Sequence, residues 1–219
     1  MKILSNIFEV GGPSLSHPSD AAVYLIASGS EAALVDAGTG RATERILMNA
    51  KRCGIGPDAL KYLFLTHCHF DHTGGAEEIR QHTACKIVCH NLDAVYLESG
   101  DSEVTAASWY GSFMRPLPID IKVSEPRRTF SLGDLDIEFI HTPGHSPGSS
   151  VLTVRSDGML VLFGQDVHGP LNDTLLSDRS QYRQSLEFLM SLNADVLCEG
   201  HFGVYQGKEE VRDFIESFL

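Results

Sequence analysis

The sequence predicts a single α/β domain of four layers, in which two sheets pack together and helices lie outside them. Strand-like segments are followed by helical segments in the first half of the chain, and the same order recurs in the second half. No repeat, low-complexity tract or linker divides the 219 residues. A domain holds about 150 residues and large single domains exceed this. We therefore predict that residues 1–219 form one domain.

The first half begins with strands and continues into a helix. Short apolar or alternating segments predict strands over residues 3–10, 21–26, 32–36 and 62–66 and a helix over 41–53. The step Gly29-Ser30 between two of these strands is typical of a hairpin turn. Gly54 is a typical residue to end a helix. The last strand leads directly into a group of histidines.

The second half repeats this order with an unrelated sequence. The predicted strands are 136–140, 150–154, 159–163 and 194–198, and the predicted helix is 178–192. Asp157-Gly158 lies between two strands and is a strong hairpin signal. A C-terminal helix follows from apolar residues at helical spacing, which are Val211, Phe214, Ile215 and Phe218.

The charge and composition exclude several classes of partner. With 17 basic and 29 acidic residues the formal net charge is −12, which disfavours binding to nucleic acid or to an anionic membrane. No apolar run approaches the roughly 20 residues of a membrane span. The apolar start of the chain is short and soon interrupted, so we expect no secretory signal there. The five scattered cysteines are typical of reduced thiols. We expect a cytoplasmic protein that acts on a small molecule.

Four candidate metal ligands lie within one short loop. The loop reads Thr66-His67-Cys68-His69-Phe70-Asp71-His72-Thr73-Gly74-Gly75. Imidazole and carboxylate groups are ligands of zinc and similar divalent ions. His67 and His69 point the same way on an extended segment, whereas Asp71 and His72 follow where the chain turns. This pattern favours two adjacent ions over one, and the two glycines let the backbone turn. A solvated histidine-rich loop is the weaker interpretation, because four ligands share it.

Three further candidates lie at the ends of predicted strands. His145 lies in a turn rich in Pro and Gly, Asp166 follows the strand 159–163, and His201 follows the strand 194–198. Taken singly, each could be an ordinary polar residue at a strand end. Together with the histidine loop, their common placement predicts a site along one edge of the fold.

These motifs closely resemble those of the metallo-β-lactamase superfamily of metal-dependent hydrolases. The matching residues run from Asp36 to His201 and include the specific His-x-His-x-Asp-His motif. The resemblance implies an αββα sandwich with two divalent metal ions between the sheet edges. It implies one metal held by His67, His69 and His145, a second held by Asp71, His72 and His201, and Asp166 as the bridging carboxylate. Asp36 matches a position that supports the metal loop.

The implied chemistry is hydrolysis without a protein nucleophile. Two divalent cations roughly 3.5–4 Å apart can hold a bridging hydroxide that attacks while one ion polarises the substrate oxygen. Asp71 is the predicted catalytic residue, because it could orient this hydroxide or carry a proton to the leaving group. Zn²⁺ suits the ligands best, and Fe²⁺ or Mn²⁺ would also fit.

The resemblance favours the glyoxalase II-like and lactonase-like branch. Asp166 stands where the familiar β-lactamases carry a cysteine ligand, which disfavours that activity. The predicted function is hydrolysis of a small ester, thioester or lactone. A mononuclear iron persulfide dioxygenase, with metal bound only by His67, His145 and Asp166, is one alternative. A metal-binding module without enzymatic activity is another.

Some residues keep more than one interpretation. The segment 100–118 contains Trp109, Tyr110, Phe113 and Met114, and it could form a pocket wall, a lid, a homodimer contact or a short helix packed on the core. His168 could line the pocket, support a ligand or lie on a surface loop. His17, His82 and His90 are predicted surface residues.

Overall fold

The protein is a four-layer αββα sandwich, as predicted. The computed structural model describes residues 1–219, and for Gln165 the backbone alone. One sheet contains β1 (Ile7–Gly11), β2 (Val23–Ser28), β3 (Glu31–Val35), β4 (Leu60–Phe64), β5 (Lys86–His90) and β6 (Ile121–Val123). The other contains β7 (Arg127–Leu132), β8 (Leu135–His141), β9 (Ser150–Ser156), β10 (Met159–Gln165), β11 (Val196–Glu199) and β12 (Val204–Gln206).

Six α-helices cover the outer sides and the connections. They are α1 (Thr43–Arg52), α2 (Phe70–Thr73), α3 (Ala76–Thr83), α4 (Asn91–Ser99), α5 (Arg179–Ser191) and α6 (Lys208–Glu216). The helices α1, α3 and α4 pack on the first sheet, and α5 and α6 pack on the second. Among the described residues, no helix has the length and apolar character needed to cross a membrane.

Both sheets are mixed, and the strand order follows the sequence. In the first sheet β1 pairs with β2 and β2 with β3 in antiparallel fashion, whereas β3 to β6 run parallel. In the second sheet only β10 and β11 pair in parallel. Parallel strands need crossover connections, and in the first sheet these carry α1, α2, α3 and α4. The carboxyl ends of such strands meet at one edge, which is where ligands usually bind in α/β sheets.

Apolar side chains from both sheets fill the space between them. Tyr24 of β2 packs on Phe163 of β10 with ring centroids 5.6 Å apart, and Phe64 of β4 contacts Phe139 of β8 at 6.5 Å. All four rings are buried. Large aromatic rings contribute most to such a core because each removes a large apolar area from water. This packing fixes the two sheets against each other.

The local signals for turns and caps agree with the structure. The Gly29-Ser30 hairpin joins β2 to β3. Helix α5 begins after Asp178, whose carboxylate accepts hydrogen bonds from the backbone N–H groups of Ser180 and Gln181 at 2.8 and 2.9 Å. Such a cap satisfies backbone donors that have no partner within the helix.

Several sequence predictions need correction. The first strand begins at Ile7 rather than at residue 3, and the elements β5, β6, β7, β12, α3 and α4 were not predicted. Two of these strands have three residues each, which is too short for a periodic pattern. His90 is not a surface residue: it is buried, and its ring stacks on that of His141 at 3.8 Å between centroids.

Candidate metal centre

The seven predicted ligands converge on one edge of the sandwich. His67 and His69 follow β4, and Asp71 and His72 lie in the short helix α2. The remaining three lie in the connections that follow β8, β10 and β11, and they are His145, Asp166 and His201. Residues up to 134 positions apart in the chain, such as His67 and His201, are thereby brought into one cluster.

One group of side chains consists of His67, His69 and His145. The three ring centroids lie 4.5 to 4.8 Å apart, and the rings meet edge to face. Nε2 of His145 lies 2.9 Å from Nδ1 of His69. One ligand atom from each of these histidines and from Asp166 lies within 4.8 Å of all the others. The group can surround a single cation.

The second group consists of Asp71, His72 and His201. The Oδ2 atom of Asp71 lies 3.3 Å from Nε2 of His201 and 3.7 Å from Nε2 of His72. The side chain of His201 is 29% exposed, whereas His72 is fully buried. This group therefore faces the opening of the site.

Asp166 lies between the two groups and turns one oxygen to each. Its Oδ2 atom is 3.3 Å from Nε2 of His145 and 3.8 Å from Nε2 of His67. Its Oδ1 atom is 3.1 Å from Nε2 of His72 and 3.4 Å from Nε2 of His201. A carboxylate with this orientation can contact ions in both groups.

The cluster contains buried polar atoms without hydrogen-bond partners in the described part of the chain, as expected of a site for divalent cations. Nε2 of His67, His69 and His72 and Oδ1 of Asp166 are buried, and none has a hydrogen-bond partner of suitable geometry among the described residues. Leaving four buried polar atoms unsatisfied would be costly. Bound cations would satisfy them, because imidazole nitrogen and carboxylate oxygen atoms are ligands of divalent metals.

The electrostatics of the histidines also suit a metal. Burial lowers the pKa of His67 and His69 well below the usual range, and neighbouring histidines lower it further. Both are therefore neutral at physiological pH, which is the form that binds metal. Burial also lowers the pKa of His72, but the carboxylates of Asp166, Asp71 and Asp36 outweigh it and raise that pKa well above normal. A proton and a cation thus compete for His72.

Comparisons with known proteins agree with this geometry. Residues 18–201 match the family model of the metallo-beta-lactamase superfamily. The chain belongs to this superfamily. A probable metallo-hydrolase of Methanocaldococcus jannaschii is 33% identical over 186 residues, which cover 81% of this chain and 85% of that protein. An acyl-coenzyme A thioesterase of Gallus gallus is 28% identical over 98% of this chain and 84% of its own length.

A solved structure supports the same fold. A mutant metallo-beta-lactamase from Cronobacter sakazakii superposes with a TM-score of 0.82 at 18% identity, over 100% of this chain and 92% of that one. Together with the family match and the hydrolases among its relatives, this makes the chain a metal-dependent hydrolase of the metallo-β-lactamase superfamily. The metal-binding module without activity, left open by the sequence, is therefore not supported.

Asp36 supports the histidine loop of this superfamily member from behind, as the resemblance implied. Its carboxylate accepts hydrogen bonds from the backbone N–H and the hydroxyl of Thr66, both at 2.8 Å, and lies 2.6 Å from Nδ1 of His72. A carboxylate on one ring nitrogen fixes the other nitrogen toward the ion. Asp36 therefore orients His72 and anchors the start of the loop.

Asp93 is a supporting residue that sequence reasoning missed. It is fully buried at the start of α4, and its carboxylate accepts hydrogen bonds from the backbone N–H of Cys68 at 2.8 Å, the hydroxyl of Ser146 at 2.6 Å and the backbone N–H of Gly148 at 2.6 Å. These bonds tie the loop of His67 and His69 to the loop of His145. An acidic residue in a first helical turn is common, so the sequence contains no signal for this role.

Gly74 and Gly75 are required because there is no room for a side chain, and not because the backbone conformation is unusual. The φ angles at these positions are −59° and −87°, which any residue can adopt. A Cβ atom at Gly74 would lie 2.5 Å from the carbonyl oxygen of Thr39, and one at Gly75 would lie 2.4 Å from that of Ala37. The glycines therefore allow close packing of the metal loop on the preceding loop.

The aromatic segment 100–118 forms part of the wall of the site. The Tyr110 ring packs against Phe70 at 5.9 Å. Burial raises the pKa of Tyr110, and the neighbouring Asp71 carboxylate raises it further, which keeps the hydroxyl protonated as a donor. Met114 packs into the core beneath the first sheet, whereas Trp109 is 52% exposed. Phe113 is 62% exposed.

Proposed function

We propose that the protein is a binuclear hydrolase that cleaves small thioesters, esters or lactones, with thioesters as the preferred class. The observation that carries this proposal is the placement of Asp166, whose Oδ2 atom faces His145 and whose Oδ1 atom faces His72. One carboxylate shared by two groups of ligands is the arrangement that two neighbouring cations require. Zn²⁺ is the proposed metal because imidazole and carboxylate ligands suit it.

The bound ions would supply a hydroxide nucleophile near neutral pH and polarise the carbonyl oxygen of the substrate. The residues of the chain would hold the ions and orient the substrate. His67, His69 and His145 are the proposed ligands of one ion, and Asp71, His72 and His201 those of the other. The sequence motif and the convergence of these side chains support the assignment.

Asp71 is the proposed catalytic residue for proton transfer. Its Oδ2 atom lies 3.3 Å from Nε2 of His201, at the more exposed end of the site. There it could accept a proton from the attacking water and pass it to the leaving group. Tyr110 faces the same carboxylate and could orient it through its hydroxyl hydrogen.

Two features support a thioester with an apolar acyl chain. A relative that matches 98% of this chain over 84% of its own length is an acyl-coenzyme A thioesterase. Trp109 and Phe202, 52% and 59% exposed, are the chain neighbours of Tyr110 and His201. Exposed apolar side chains next to a polar centre often mark a binding surface. They could hold the acyl chain while the carbonyl lies at the metal centre.

The test is a hydrolysis screen of the zinc-loaded protein. Acyl-coenzyme A thioesters, p-nitrophenyl esters and lactones of matched chain length are compared, and His67→Ala is measured beside His82→Ala, a substitution on the exposed side of α3. We expect the highest kcat/KM with thioesters and loss of at least about 100-fold in His67→Ala. Full activity of His67→Ala, or no turnover of any substrate, would refute the proposal.

The persulfide dioxygenase alternative is separated by the same screen on iron-loaded protein, with oxygen consumption measured beside hydrolysis. That reaction would consume oxygen with a persulfide substrate and one iron per chain. It would need only His67, His145 and Asp166 as metal ligands. The close approach of Asp71, His72 and His201 favours a second ion instead. Oxygen consumption without hydrolysis would reverse this preference.

A further inference from the structure

A histidine outside the seven predicted ligands also faces the metal centre. His168 follows Asp166 by two residues, and its Nδ1 atom lies 2.7 Å from Oε1 of Glu199. Glu199 is fully buried at the end of β11. Its other oxygen accepts hydrogen bonds from the backbone N–H groups of His201 and Phe202 at 2.7 and 2.8 Å. One buried carboxylate therefore holds both His168 and the loop of His201.

The orientation of the His168 ring is fixed by its neighbours. The ring meets Phe202 edge to face at 4.9 Å, Phe218 at 6.4 Å and His201 at 5.1 Å between centroids. Its side chain is 16% exposed. These contacts restrict rotation of the ring, so that Glu199 keeps its bond to Nδ1 and the opposite edge stays in place.

One ring nitrogen of His168 lies within 4.8 Å of ligand atoms of both Asp166 and His201. Donors on one tetrahedral zinc ion lie about 3.4 Å apart, because each bond is about 2.1 Å long. The distances between the three donors would therefore shorten by at most about 1.4 Å if all three bound one ion. Since Glu199 holds Nδ1, the nitrogen available for the ion is Nε2.

The same arrangement recurs at the predicted ligands. Nδ1 of His72 lies 2.6 Å from the Asp36 carboxylate, and Nδ1 of His145 lies 2.9 Å from the carbonyl oxygen of Pro170. In metal sites an oxygen acceptor on one ring nitrogen fixes the tautomer and directs the other nitrogen to the ion. His168 and Glu199 form a third pair of this kind.

We propose that His168 is an additional ligand of the ion that His201 and Asp166 hold, and that Glu199 is its positioning residue. This inference rests on the proposed metal centre. An extra imidazole would strengthen the more exposed of the two positions and favour Zn²⁺, Fe²⁺ or Co²⁺ over Mg²⁺ there. His168 would thereby retain the second ion.

The test is titration of the metal-free protein with Co²⁺, followed by visible absorption and by competition with a chelator. The variants are His168→Gln, His168→Phe and Glu199→Gln, with His82→Gln as the exposed control. His168→Phe keeps an aromatic ring between Phe202 and Phe218, so it serves as a variant in which the packing is preserved. In Glu199→Gln the amide oxygen can still accept the two backbone bonds, but the amide NH₂ donates to Nδ1 and places the ring proton on Nε2.

We expect the wild type to bind two Co²⁺ ions. The weaker dissociation constant should rise 10- to 100-fold in all three variants, with a changed absorption spectrum, and His82→Gln should match the wild type. A wild-type dissociation constant and spectrum in His168→Gln and His168→Phe would overturn the inference, even if Glu199→Gln is impaired. Binding of fewer than two ions by the wild type would overturn the proposed binuclear centre as well.

Discussion

Carboxylates lie on both sides of the His72 ring. Asp36 contacts Nδ1 at 2.6 Å, and Asp166 lies 3.1 Å from Nε2. The side chains of His72 and Asp36 are fully buried, so the ring has no alternative position in solvent. At the level of single residues, the site therefore depends on groups behind the ligands as much as on the ligands themselves.

The first prediction concerns Asp36→Asn. An asparagine could still accept one hydrogen bond from Thr66, but it would hold the His72 ring less firmly and remove a negative charge. We expect the affinity for the weaker-bound ion to fall 10- to 100-fold. Competition with a chelator measures this, and the exposed Asp58→Asn serves as the control. If the affinity for this ion is unchanged and both proteins are folded, Asp36 does not support the metal centre.

Elements near the site are connected by buried polar contacts that cross between loops. Asp93 at the start of α4 holds the backbone of Cys68 and the loop that carries His145. Where β5 and β8 end, His90 and His141 stack in parallel. Both contacts join segments that are far apart in the chain, and both lie outside the cluster of predicted ligands.

The second prediction concerns Asp93→Asn. The carboxylate accepts three hydrogen bonds, whereas an asparagine would turn an NH₂ group toward N–H donors on one side. We expect the free energy of unfolding to fall by about 1–3 kcal/mol. Urea denaturation of the metal-free protein measures this, beside Asp213→Asn on the exposed side of α6. Equal stability of the two variants would contradict the assigned role.

The third prediction concerns the pH dependence of stability at His90. Burial, and to a lesser extent the adjacent His141, lower the pKa of His90 to about 4, and Glu125 opposes them. In the unfolded chain the pKa is about 6.5. Between these values the unfolded chain binds a proton that the folded protein does not, so stability falls as the pH falls from about 6.5 to 4.

We therefore compare His90→Gln with the wild type by urea denaturation at pH 7 and pH 4.5, both free of metal. The variant should lose about 2–3 kcal/mol less than the wild type between these pH values. His82→Gln, at an exposed position, should lose as much as the wild type. If His90→Gln loses as much stability as the wild type between these pH values, the acid sensitivity does not arise from His90.

The sequence could predict contacts between residues that are close in the chain, but not contacts between residues that are far apart in the chain. His67, His69, Asp71 and His72 are neighbours in the chain, and their spacing alone indicated a metal loop. The contacts of Asp93 with Ser146 and of His90 with His141 span about 50 residues. No local pattern encodes such contacts, since they arise only when the two sheets pack.

On the scale of the whole molecule, the fold was predictable because the pattern of strands and helices recurs and the hairpins carry clear turn residues. The short strands β6 and β12, with three residues each, owe their existence to pairing with neighbours. The formal charge of −12 counts the seven predicted ligands without any bound ion. Two divalent cations would make the centre electropositive within an acidic protein, which is compatible with an anionic thioester.

The fourth prediction concerns removal of the metal. The ions bind the folded protein, so they stabilise it according to their concentration relative to Kd. For one ion at a hundredfold excess over its Kd, this is about 2.7 kcal/mol, or roughly 5–10 °C in Tm for a chain of this size. Chelation should lower Tm by at least this amount, and Zn²⁺ should restore it. A Tm that is insensitive to chelator would contradict a metal centre at this edge of the sandwich.

The most direct test of the proposed binuclear centre is the number of metal equivalents at which hydrolysis saturates. Metal-free protein is titrated with Zn²⁺ while cleavage of an acyl-coenzyme A thioester is followed, and bound zinc is measured at each point. Because Asp166 faces both groups of ligands, we predict that activity rises until two ions are bound per chain and then remains constant. Full activity with one bound ion per chain would contradict the account.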